Sequence, residues 1–259
     1  MLFISVNCRV LIALASSSDN YYPINTAASI RDERAQFTVL TDRSQGGGSV
    51  HPNQLEIMVH RRNLHDDHLG VGEPLNEPGL DGKGLVVRGI HRLIVTKPSR
   101  ALAMQRFMME RIAHPIAPKY ASGLIHLAKP SYSALKKNLP SNIHIVTLDR
   151  IRDGVALLRL GHLFAVNEDA MFSSAATVEL SSLFDDRCIE DVVELNLSAN
   201  QYRADMHKRR WSSASNEDEN DFMGTFLDKR FSVTLKPMQI KTWQVTFAKS
   251  CPGAHVDTQ

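Results

Sequence analysis

Short β-prone runs, each broken by turn residues within about a dozen positions, are what most restricts the fold of this chain. Residues 84–95, 143–148, 155–166, 177–180, 189–197, 231–235 and 238–247 are rich in Val, Ile, Leu, Phe or Thr and are separated by Gly, Pro, Asn, Asp and Ser. Segments this short cannot bury an apolar face alone; they must pair into sheets that stack on one another. The expected fold class is all-β, a mainly antiparallel β-sandwich or super-sandwich with at most one or two short helices. Residues 100–112 are the exception. There Leu102, Met104, Phe107, Met108 and Ile112 recur near helical spacing and predict a short helix packed on a core, in preference to a methionine-rich binding stripe. Pro115, Pro118, Pro130 and Pro140 interrupt regular structure repeatedly, which places a boundary between two β units near 130–142. The resulting division is an atypical segment 1–19, β regions 20–138 and 139–250, and a tail 251–259.

Residues 37–75 hold the densest functional signal. Residues 37–41 alternate as a strand, residues 55–59 form a second, and the two are expected to be neighbours in one sheet. Between them Gly46, Gly47 and Gly48 read as a turn, because a phosphate cradle needs a helix after the glycines and here a strand follows. Past the second strand come His60, Arg61, Arg62, His65, Asp66, Asp67 and His68, which gather ionisable groups at one strand end. Adjacent ligand types diverge along a backbone, so no metal site is expected there. Asp66 and Asp67 are also poor candidates for a glycosidase pair, since retaining hydrolysis needs carboxylates about 5 Å apart across a sugar. The expected role is support: Arg61 or Arg62 hydrogen-bonds Asp66 and Asp67 to stiffen the loop, and alternation lets only one arginine face a site.

Composition sets few bounds. The chain of 259 residues is 43% hydrophobic and 22% charged, with a net charge of +2. That balance gives no electrostatic footprint for nucleic acid. The basic run His207-Lys208-Arg209-Arg210 precedes the acidic run Glu217-Asp218-Glu219 and reads as part of a solvated loop. Cys8, Cys188 and Cys251 cannot all pair within one chain. Reduced thiols are the expectation, with a Cys188–Cys251 bridge as the alternative for a secreted protein. Asn196-Leu197-Ser198 is a glycosylation sequon. Asn7 and Arg9 interrupt the apolar stretch of residues 1–19, so no functional signal peptide is expected, a β-strand or a replaced start being the alternatives. No apolar run is long enough to span a membrane. His91, His144 and His162 are expected to be hydrogen-bonded structural residues, and Trp211 and Trp243 to pack in cores in preference to stacking on sugars.

Several separated motifs agree with one family. The run Thr41-Asp42-Arg43-Ser44-Gln45-Gly46-Gly47, then residues 55–62, Asp66-Asp67 and residues 70–75, resembles the carboxyl-terminal β region of the class II α-mannosidases, glycoside hydrolase family 38. The lysosomal and plant vacuolar acid branch is the nearest in pattern. Residues 20–25 ahead of this run, and residues 155–162 and 235–242 after it, fall in the expected order, so the resemblance covers about residues 20–247. It implies a retaining exo-α-mannosidase whose amino-terminal barrel holds a zinc ion and an aspartate nucleophile. On that reading this chain contributes no catalytic residue and no cofactor of its own and is not expected to hydrolyse anything alone. Its implied partners are the catalytic barrel and mannose-containing glycans, in a vacuole, a lysosome or outside the cell. Neither nucleic acid nor membrane is an expected partner. Arg61, Arg62, Asp66 and Asp67 are the residues expected to support an active site. One departure stands out: where the family has Asp-Asp-Gly-Arg-Gly or Asp-Asp-Asn-Arg-Gly, this chain has Asp66-Asp67-His68-Leu69-Gly70 and lacks the arginine. The alternative is a free-standing, non-catalytic β-sandwich that binds carbohydrate or protein.

Overall fold

The structure, a computed structural model, describes residues 4–5, 21–49, 51, 53–120, 131–207 and 231–251. The chain divides into two compact units, residues 1–119 and 120–259. Both are built on antiparallel sheet, and among the described residues there is one α-helix, so the fold is the all-β arrangement expected. No described helix is long and apolar enough to cross a membrane. Cys8, Trp211, the basic and acidic runs of 208–219, and most of residues 1–19 and 251–259 lie outside the described residues.

In the first unit, strands β1 (Ile4–Ser5), β2 (Tyr22–Ile24), β3 (Ala27–Arg31), β4 (Gln36–Thr41), β5 (Gln45–Gly48), β6 (Glu56–Met58) and β7 (His91–Thr96) make two sheets, ordered β1-β3-β4-β7 and β2-β5-β6. All pairs are antiparallel except β1 with β3. Asp32 closes the β3–β4 turn: its carboxylate accepts the Arg34 and Ala35 backbone N–H groups, each at 2.7 Å. Those two bonds hold its carboxyl below the ordinary 3.8. Helix α1 (Pro98–Ala113) begins with proline in its first turn, where the missing N–H costs nothing. Its Met108, Met109 and Ile112 pack on a cluster of Ala27, Leu40 and Ile94. The predicted helix is present, but its inward stripe runs through Ala101 and Gln105, while Met104 faces solvent.

Two expectations fail in this unit. The strands at 37–41 and 55–59 are not neighbours: β4 pairs with β3 and β7, and β6 belongs to the other sheet. The glycines between them are not a turn but strand β5, bonded to β2 on one side and β6 on the other. The reason is close approach. A Cβ at Gly47 would overlap the Ile24 side chain and lie 2.8 Å from the Glu56 carbonyl oxygen, so glycine is what lets three strands close up. The run 84–95 is also shorter as a strand than its composition suggests, with β7 beginning only at His91.

The second unit is a sandwich. Strands β8 (Ile143–Arg152), β9 (Val155–His162), β11 (Ile189–Leu195) and β13 (Ile240–Phe247) form a sheet of order β11-β13-β9-β8. Facing it are β10 (Ala176–Glu179) and β12 (Ser232–Leu235). Leu158, Leu160, Trp243 and Val245 from the larger sheet meet Val178, Val233 and Leu235 from the smaller in one core. Each such side chain contributes about 1.5–3 kcal/mol when fully buried. Trp243 is 0% exposed, so it packs and cannot stack on a sugar. Ala134, Leu135 and Leu139 also pack on this core, which draws chain ahead of residue 139 into the second unit.

Cys188 and Cys251 form a disulfide with Cα atoms 5.3 Å apart, against the expectation of reduced thiols. It is the pairing given above as the alternative. Pairing of Ile189 with Phe247 aligns the ends of β11 and β13 and brings the two cysteines into reach.

Two substitution tests follow from this packing. Gly47→Ala should destabilise the first unit by about 1–3 kcal/mol in urea unfolding. Gly46→Ala, whose added carbon meets nothing nearer than 3.6 Å, should leave the midpoint unchanged. Replacing both Cys188 and Cys251 by serine should lower the stability of the second unit by about 2–4 kcal/mol, because the bridge closes a long loop in the unfolded chain.

Candidate functional site

The candidate site is the loop of residues 59–90 and the cleft beside its root. The loop leaves β6 and returns to β7, and a two-residue device at the end of β4 holds both of its ends. Arg43 Nη2 donates to the Val59 carbonyl at 3.1 Å, at the exit. Asp42 Oδ2 accepts the Ile90 backbone N–H at 2.7 Å, at the return. Arg43 Nη1 and Asp42 Oδ1 then pair with each other at 2.9 Å. The Arg43 guanidinium lies directly against Gly89, in the space that a Cβ would take. Next to this device, His91 Nε2 donates to Gln45 Oε1 at 2.7 Å and links β7 to β5. Sequence reasoning quoted Asp42 and Arg43 within a motif but assigned them no role. The available signal was an acid and a base ending a buried strand, at its junction with a glycine-rich one.

A cleft of about 530 Å³ opens beside the loop root. Tyr21, Tyr22, Arg43, Gln45, His60 and Arg61 line it. The Tyr21 hydroxyl donates to the Glu56 carboxylate, and that bond pushes the phenol above its ordinary 10.0. Arg61 has no hydrogen bond or ion pair among the described residues, which leaves its guanidinium open to the cleft.

The predicted cluster of Arg61 or Arg62 with Asp66 and Asp67 does not form. Arg62 donates through Nε to the Asn76 side-chain oxygen and lies against Gly84. Asp66 Oδ1 faces His68 Nδ1 at 3.2 Å. Asp67 Oδ1 accepts the Leu69 backbone N–H at 3.0 Å, a local turn bond that uses the carboxylate within two residues. Short side chains on a turning backbone find nearer partners than an arginine several residues back. Arg61 lines the cleft and Arg62 bonds within the loop; both lie past the end of β6, so strand alternation does not set their directions. His68 has φ of 58°, a left-handed conformation that glycine or asparagine adopts at less cost.

The remaining singled-out residues are structural. His91 makes the Gln45 bond, and His162, 3% exposed, contacts the Phe164 and Ser174 carbonyl oxygens at 3.0 and 2.8 Å. Asn196 lies in the turn after β11, where its Nδ2 donates to Asn200 Oδ1 at 2.7 Å. Among the described residues, no three His, Cys, Asp or Glu side chains are grouped as metal ligands would be.

The Asp42 bond gives a pH test. The Ile90 N–H, and then the Arg43 charge, favour the carboxylate and hold Asp42 below its ordinary 3.8. Its contribution to stability is therefore complete above that value and is lost as pH falls through the lower folded pKa. Asp42→Asn should flatten the acid limb of unfolding free energy against pH, and the protection factor of the Ile90 amide, its exchange relative to the intrinsic rate, should no longer vary with pH in that range.

Residues 12–69 match the family model described as Glycosyl hydrolases family 38 C-terminal domain, and residues 142–243 match Glycosyl hydrolases family 38 C-terminal beta sandwich domain. The chain is 38% identical over 242 residues to an alpha-mannosidase of Canavalia ensiformis, covering 88% of this chain and 25% of that protein. It is 38% identical over 232 residues to the lysosomal alpha-mannosidase of Bos taurus (86% and 23%) and 37% over 234 residues to that of Homo sapiens (86% and 22%). The chain thus spans about a quarter of the length of these relatives. With motifs on both units matched in order, the chain belongs to glycoside hydrolase family 38, the class II α-mannosidases, and carries their carboxyl-terminal β region.

Proposed function

We propose that this chain is the supporting β portion of a zinc-dependent retaining α-mannosidase acting on mannose-containing N-glycans, with a catalytic barrel supplying the zinc ligands and the nucleophile. The observation that carries this reading is uncovered apolar surface on the first unit. Leu93 and Val95 on edge strand β7 are 64% and 71% exposed, although Ile94 between them is 6% exposed and packs on the unit's own core. Leu64, Leu69 and Val71 on the loop are each at least 73% exposed. Apolar groups displayed in this number favour contact with another protein surface.

In this reading Arg61 is the arginine that serves the active site. It has no ion pair among the described residues and lines the cleft, and its planar fork suits bidentate contact with a carboxylate or with sugar hydroxyls. Arg62, Asp66 and Asp67 hold the shape of the loop that presents it. Leu69 stands where the family pattern has arginine, so this loop brings one guanidinium fewer to its partner. The Cys188–Cys251 bridge fits an oxidising compartment, lysosomal, vacuolar or extracellular, and Asn196 is a proposed glycan acceptor there.

The purified chain should not turn over a chromogenic α-mannoside at acidic pH and should retain no stoichiometric zinc by elemental analysis. It should bind the catalytic barrel of a family member, and Leu93→Lys with Val95→Lys should weaken that complex about tenfold or more. Turnover by the chain alone would overturn the reading, as would binding indifferent to the two lysines.

A further inference from the structure

We propose that residues 84–96 form one docking edge, on which a β-strand from the portion of the family polypeptide that this chain does not span adds to the first sheet beside β7. The inference deepens the reading of the chain as a supporting β portion and rests on it. It says how the contact is made: through main chain, with exposed apolar side chains packing alongside.

Residues 84–95 have the composition of one continuous strand, yet only His91–Thr96 is paired. The cause is the length of the neighbour. Strand β4 ends at Thr41, opposite His91, so the residues before His91 run past its end with no strand beside them. Among the described residues, the backbone of residues 85–89 makes no hydrogen bond. Both ends of this stretch are nevertheless fixed. Gly84 pairs with Pro78, the Ile90 N–H donates to Asp42, and the Arg43 guanidinium lies against Gly89. No residue of the run has a positive φ. Strand β7 is the last of its sheet, so its outer edge is open as well. A stretch held at both ends and continuous with an open edge loses little conformational entropy when a strand is added.

Side chains point the same way. Leu85, Val86, Val87, Ile90, Leu93 and Val95 are all exposed, Val86 to 88%. Edges that stay in solvent are guarded by proline, lysine or inward charge, and residues 84–96 contain no Pro, Lys, Asp or Glu. The occupant follows from three observations. The chain spans about a quarter of the length of its relatives, so most of the polypeptide that accompanies these residues there lies outside it. The edge is also continuous with Leu93 and Val95, the apolar surface that carries the proposed barrel contact. A second copy fits badly: antiparallel overlap of the whole run sets Arg88 opposite Arg92 at two places, and like charges directly opposite disfavour pairing. A helix laid over the run would take the main-chain groups of residues 85–89 out of water without replacing those bonds, whereas a strand replaces them.

The test is amide hydrogen exchange of the full chain, alone and co-expressed with the part of the Canavalia ensiformis alpha-mannosidase that precedes the matched region. In the complex, amides at alternate positions among residues 85–89 should be protected about tenfold or more over the free chain. Adjacent N–H groups of a strand point to opposite edges, so of Val86→Pro and Val87→Pro one should weaken the complex about tenfold and the other less. Exchange at residues 85–89 unchanged in the complex, or affinity indifferent to both prolines, overturns this inference and leaves the supporting role standing. Absence of any complex overturns both. Protection that grows in the chain alone with its concentration also overturns it, because the occupant is then a second copy. The wild-type exchange decides the matter even if a proline variant does not fold.

Discussion

The Asp42–Arg43 device is the constraint on which the first unit's functional surface depends. A loop as long as residues 59–90 has a closing entropy that grows only slowly with length, so a few well-placed bonds at its root are enough to define it. Arg43 takes the carbonyl where the chain leaves and Asp42 takes the amide where it returns, and both are charge-assisted bonds of the stronger kind. Because the two residues also bond each other, neither end can shift without disturbing the other. The interior of the loop is held by local turn bonds, such as Leu69 N–H to Asp67 and Lys83 N–H to Asp81, and by the longer-range bond from Arg62 to Asn76. Arg61 keeps its place in the cleft through this root, since it lies two residues past Val59 and has no ion pair among the described residues.

Alternation and punctuation made the second unit legible in the sequence. Strands β8 to β13 each lie within the predicted runs or overlap them, because their inward positions are apolar and their neighbours are polar or turn residues. The first unit was harder to read. Strand β2 contains Pro23, and β5 is mostly glycine, so both lack the side chains that mark a strand. Their presence is dictated by the space between Ile24 and Glu56, which is a tertiary fact. Pairing is equally hidden: β4 and β6 look alike, but they satisfy their backbones in different sheets.

At the site, the sequence singled out the loop that follows β6, but not the bonds that hold it. The concentration of charge at residues 60–68 suggested mutual pairing, and the backbone turned each group toward something closer. Asp42 and Arg43 sit outside that concentration and do more to fix the loop than any residue within it. The disulfide was out of reach of spacing arguments because its geometry is set by the register of β11 with β13.

The position of that bridge has a consequence for a chain exposed to proteases. A single backbone cut anywhere between Cys188 and Cys251 leaves both pieces tied covalently while the surroundings stay oxidising. The β11–β13 ladder and the Ala248 to Cys188 bond would keep the cut ends of the sheet in register. Nicked and intact molecules would then differ in mass only after reduction, and the second unit would tolerate processing within this stretch without falling apart.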